Sequence, residues 1–140
     1  MRRLLGTTLI GLILLSGCGE ASDTAASPPA TKPQLVSGTA AGGTVSTTPT
    51  VLEDAAAVRQ YVAQFRGSAF RKELQQAAAA ADVPPGWDLT ATVVSIGCDV
   101  PTGVDVAAPG NDLVIRPQYS AAERKECFAP VTTVAIAVTD

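Results

Sequence analysis

The chain reads as an α+β fold: two N-terminal helices packed on one face of a small, mainly antiparallel sheet of about four strands. Three observations lead there. Apolar residues recur at steps of three and four between Val51 and Ala81, the spacing of one helical face. Runs rich in Val, Ile and Thr follow between Leu89 and Val138, separated by turn residues. Two cysteines, Cys98 and Cys127, bracket the middle of that β-rich half.

Thr50 is expected to open the first helix. Thr50-x-x-Glu53 has capping-box spacing, in which the hydroxyl accepts from a free amide and the carboxylate reaches back. Val51, Ala55, Val58, Val62, Phe65 and Ala69 then share one face. Gly67 interrupts, and Ser68 is the cap of a second helix with Phe70, Leu74, Ala78 and Ala81 as its apolar stripe. Two helices are expected rather than one bent helix, because glycine costs about 1 kcal/mol inside a helix. The alanine run 77–81 allows close approach to a neighbour, and Pro84-Pro85-Gly86 ends the helical half.

The strands are expected at Leu89–Ile96, Val104–Ala108, Leu113–Pro117 and Val131–Val138. The middle two flank Pro109-Gly110-Asn111-Asp112, a turn signal. In the last run Val134, Ile136 and Val138 share one face, and Thr133, Ala135 and Ala137 the other. Such alternation suits an antiparallel sheet with one covered side, and the helices are the cover.

These elements make one domain over residues 50–140, roughly enough chain for a single core. Residues 18–49 differ in composition: Ala, Ser, Thr, Gly and Pro dominate, and Leu35, Val36 and Val45 are isolated. That segment lacks the apolar surface to offset its ordering entropy. It is expected to be a disordered tether with a reach of roughly 30 Å. The alternative is a pair of weak edge strands.

The extreme N-terminus gives an address. Arg2 and Arg3 precede an apolar run, Leu4–Leu15, shorter than the roughly 20 residues a spanning helix needs. Residues 1–17 therefore read as a cleavable signal. Leu15-Ser16-Gly17-Cys18 follows. Over residues 1–19 the chain resembles bacterial lipoproteins, whose lipobox ends in such a cysteine. The resemblance implies cleavage before Cys18, a diacylglycerol on its sulfur and a further acyl chain, palmitate in kind, on its new amino group. It also implies anchoring to the cell membrane on the extracytoplasmic side, where more than one acyl chain holds firmly. The alternative is an ordinary secretory signal with a chance cysteine. The globular part carries no motif of a known family.

Charge and missing residues narrow the function. The chain has 10 Lys and Arg against 13 Asp and Glu, and loss of Arg2 and Arg3 with the signal leaves 8 against 13, net −5. Such a chain is a poor nucleic-acid binder. Its link to the membrane is the covalent lipid on Cys18, and its further partner is an unidentified envelope protein or polymer. Histidine is absent, which removes Ser-His-Asp and Cys-His catalysis and histidine-ligated zinc. No phosphate-binding glycine loop occurs, and no cofactor or metal is implied.

The remaining candidates are few. Cys98 and Cys127 are expected to form a disulfide, permitted outside the membrane and worth roughly 3.5 kcal/mol by loop closure. Metal binding or a reactive thiol is the alternative. Asp99, Asp105 and Asp112 read as turn chemistry, with carboxylate catalysis or calcium binding as alternatives. Trp87, the only tryptophan, is either a core plug or an exposed partner contact. Arg59, Arg66, Arg71 and Lys72 form a basic stretch that is either a solvated face or a grip for an acidic polymer. Together these point to a lipid-anchored, non-enzymatic binding or interaction module of the envelope. The alternative is a carrier or sensor of a small lipid or metabolite, with a pocket between helices and sheet.

Overall fold

Asp54, not Thr50, starts the first helix. In the computed structural model, which describes residues 32–39, 41–42, 45–107, 113–120 and 127–140, Asp54 is extended. Its Oδ1 accepts from the amides of Ala56 and Ala57, both at 2.7 Å, as an N-cap carboxylate does. Helix α1 runs Ala55–Val62 and helix α2 Ser68–Ala80. The break at residues 63–67 gives two helices. Gly67 caps α2 without a side-chain hydrogen bond. Val83 precedes Pro84 and so disfavours further helix. A turn then closes from the Trp87 amide to the Pro84 carbonyl, with Gly86 at φ 84, where glycine is favoured.

Six strands are present among the described residues: β1 Gln34–Thr39, β2 Thr50–Val51, β3 Asp88–Gly97, β4 Gly103–Ala107, β5 Val114–Gln118 and β6 Val131–Thr139. They form two antiparallel sheets, one of order β1-β6-β3-β2 and one of β4-β5 alone.

This corrects the expected arrangement of two N-terminal helices on a single sheet of about four strands. β1 and β2 both precede the helices, so the helical pair is an insertion between strands. The four expected strands also do not share a sheet. β3 and β6 pair with each other, while β4 and β5 form a separate hairpin.

The described part of the expected tether, from residue 34 on, is corrected with it. Leu35 and Val36 belong to β1, which pairs with β6 along six residues. The chain after β1 is tied in as well. The carbonyl of buried Ala41 accepts from the amides of Arg66 and Gly67 between the helices. Gln64 clamps the next stretch, taking the Ser46 amide on Oε1 and giving Nε2 to the Tyr61 carbonyl, both at 2.9 Å. Ordered structure therefore reaches back to residue 34 rather than starting at 50. The leader 1–17, Cys18 and residues 19–31 lie outside the described residues, as do Ala108 and the turn at 109–112.

The core lies on one face of the larger sheet. Leu89, Ala91 and Val93 of β3 and Val134 and Ile136 of β6 meet Tyr61, Val62, Phe70 and Leu74 from the helices and Phe65 from the break between them. Tyr61, Phe65 and Phe70 stack edge to face, with centroids 5.9 and 5.0 Å apart, an arrangement worth about 0.5–1.5 kcal/mol per pair beyond area. The opposite face was expected to be open. Instead Thr90, Thr92, Thr133, Ala135 and Ala137 are buried there too. Their hydroxyls are satisfied sideways. Thr133 meets Ser37 at 2.8 Å, Thr90 meets Thr139 at 3.0 Å, and Thr92 donates to the Thr47 carbonyl at 2.9 Å. Buried threonine is tolerable because each hydroxyl has a partner.

Cys98 and Cys127 form a disulfide with Cα atoms 5.4 Å apart. It lies just past the end of β3 and shortly before β6, so the β4–β5 hairpin sits wholly inside the closed loop. A register shift between Val93 and Ser95 marks a bulge at this end of β3. There the Tyr119 hydroxyl donates to Ser95 Oγ at 3.0 Å, which holds the hairpin to the larger sheet.

Candidate functional site

The helical pair leaves a gutter open to solvent. At one end it is a groove of about 500 Å³ between the start of α1, the end of α2 and the first residues of β3. Its walls are mainly apolar: Leu52, Ala55, Val58, Ala78, Ala79 and Leu89. Alanine at 78 and 79 is what makes room, because a longer side chain would fill the space between the helices. The volume lies within the range of small-molecule sites, and a few polar groups beside an apolar wall are their usual composition. Asp54 is at the rim, but its Oδ1 is engaged by helix amides, which offset the charge.

The other end is cationic. A second hollow, about 370 Å³, is lined by Arg59, Val62, Ser68, Arg71, Lys72 and Gln75. Arg59 and Gln75 line both spaces, so the two are parts of one gutter. Residues 68, 71, 72, 75, 78 and 79 fall at steps of three and four, which places them on one stripe of α2. That stripe changes from serine, arginine and lysine to alanine over about 16 Å.

A third, smaller cleft of about 200 Å³ lies at the apolar end. Lys32 and Gln34, the first described part of the chain, line it with Ala81, Ile136 and Val138. Leu89 is shared with the apolar groove. Lys32 and Gln34 therefore sit beside the apolar end of the gutter. The disulfide lies at the far end of β3, about 30 Å away along the strand.

The sequence candidates scatter around this site. Of the basic stretch, Arg59, Arg71 and Lys72 come together at the hollow, while the Arg66 stem packs beside Gly42. Trp87 is half-buried, outside both the core cluster and the gutter lining. Asp105 is exposed and accepts from Gln118 Nε2 at 2.6 Å. Asp99 is exposed with its carbonyl taking the Ser95 hydroxyl, and Asp112 lies outside the described residues. Among the described residues no three His, Cys, Asp or Glu side chains converge as metal ligands. Exposed Ile96, Val100 and Phe128 lie within two residues of the disulfide cysteines, and exposed Tyr119 bonds Ser95 through its hydroxyl.

Tyr61 is the one strongly perturbed titratable group among the described residues. Its hydroxyl is buried without a partner, and burial pushes its pKa up. No described helix is long and apolar enough to cross a membrane. No family model matches the chain, and neither a curated protein nor a solved structure does.

Proposed function

We propose that this chain is a lipid-anchored, non-enzymatic binding module on the extracytoplasmic side of the cell membrane, held there through Cys18, and that it binds a small ligand in the α1–α2 gutter. The observation that carries the ligand reading is the apolar groove of about 500 Å³ with Arg59 and Gln75 on its edge. The lipobox resemblance at residues 15–18 supports the anchor. The carrier reading is favoured over a purely protein-binding one because the groove is concave and of ligand size.

Native mass spectrometry of the protein released from its own membranes tests both parts. The expected mass begins at a lipidated Cys18 and includes a retained small molecule. Ala79→Trp fills the groove from an exposed wall position and is expected to abolish retention without unfolding the domain. An unmodified Cys18 would remove the anchor from the proposal. A ligand retained equally by Ala79→Trp would remove the groove.

A further inference from the structure

We propose that the gutter takes a single-chain anionic amphiphile: one acyl chain ending in a phosphate or carboxylate. This deepens the ligand reading above and rests on it.

Polarity along the gutter is the first argument. Leu52, Ala55, Val58, Ala78, Ala79 and Leu89 line one end, with Asp54 beside them capping α1; Arg71 and Lys72 line the other, and Arg59 lies between and lines both. A ligand that satisfies both ends must itself be apolar at one end and anionic at the other. Volume is the second. A groove of about 500 Å³ suits one acyl chain rather than a paired-chain lipid, and each methylene it removes from water favours binding.

Charge is the third argument. Three of the 8 bases outside the leader gather at one hollow, in a chain whose net charge there is −5. Ser68 opens α2 at the same hollow, and Gly67 supplies no side-chain acceptor to its first amides. A bound anion would gain from those amides as well as from the three cations.

The test uses the full mature protein, lipidated at Cys18, in nanodiscs of neutral phosphatidylcholine. Three photoreactive probes share one dodecyl chain and differ in the head: phosphate, carboxylate or uncharged glycerol. Crosslinked peptides are mapped by mass spectrometry. Either anionic probe is expected to label α1 and the end of α2 about tenfold more than the glycerol probe, and the two anionic arms say which head is preferred. Arg59→Gln with Arg71→Gln is expected to remove that preference while leaving thermal melting unchanged, since both side chains border the open gutter. Equal labelling of the gutter by all three probes would overturn the anionic specificity and leave the ligand groove standing. Absence of gutter labelling by any probe would overturn both.

Discussion

Gly38 and Phe70 are in direct apposition: a Cβ built on Gly38 would lie 2.6 Å from the edge of the Phe70 ring and 2.9 Å from its Cγ. Helix α2 can therefore lie on β1 only because position 38 has no side chain. Phe70 is buried and stacked on Phe65, so the ring has little freedom to retreat. Gly38→Ala is expected to lower stability by about 1–3 kcal/mol through overpacking. Chemical denaturation measures this, and pairing the change with Phe70→Leu is expected to recover part of the loss.

That contact also explains what was hard to read in advance. β3, β5 and β6 were legible because Val, Ile and Thr cluster and alternate within a few residues. α2 was legible through Phe70 and Leu74. β1 was not, since Leu35 and Val36 sit in a stretch whose composition is that of a spacer, and their partner β6 lies about a hundred residues away. β2 is two exposed residues whose strand character exists only through β3. Its Thr50 mimicked a capping box while Asp54 made the cap. Half of the candidate site was readable. The basic stretch was visible, but its link to the alanine run depends on how far apart the two helices sit, and no local pattern encodes that distance.

Asp54 tests the local energetics of α1. This helix has eight residues, too short to persist without tertiary packing and its cap. Asp54→Ala is expected to cost about 1 kcal/mol. Asp54→Asn, which keeps an acceptor oxygen, is expected to lose less. Thermal melts of the two variants separate the outcomes.

Tyr61 carries a hydroxyl that burial leaves unpartnered. Removing it in Tyr61→Phe is expected to leave stability unchanged or raise it by about 1 kcal/mol. The pH dependence has a definite sign. Burial raises the folded-state pKa above its ordinary value of 10.0. The unfolded chain therefore loses this proton first, and stability falls as pH rises past about 10. Tyr61→Phe is expected to show a shallower loss of stability between about pH 10 and 11 than the unsubstituted protein, measured by urea denaturation at each pH.

The Cys98–Cys127 bridge closes a loop of sequence separation 29. Opening it with a Cys98→Ser, Cys127→Ser pair is expected to cost roughly 3.5 kcal/mol by chain entropy. The β4–β5 hairpin lies inside that loop and is held to the larger sheet at Tyr119 and Ser95. Limited proteolysis of the opened form is therefore expected to cut first between residues 98 and 127, before the helices or β6.

The central claim is that the α1–α2 gutter is where this protein meets a ligand. Alanine methyl NMR reads it directly, because Ala55, Ala78 and Ala79 line the groove while Ala135 and Ala137 are buried on the far face of the sheet. On titrating the mature protein with dodecyl phosphate below its micellar range, the first three methyls are expected to shift saturably and the last two to stay in place. Shifts confined to the exposed apolar residues near the disulfide, or no saturable shift at the three groove methyls, would contradict the account.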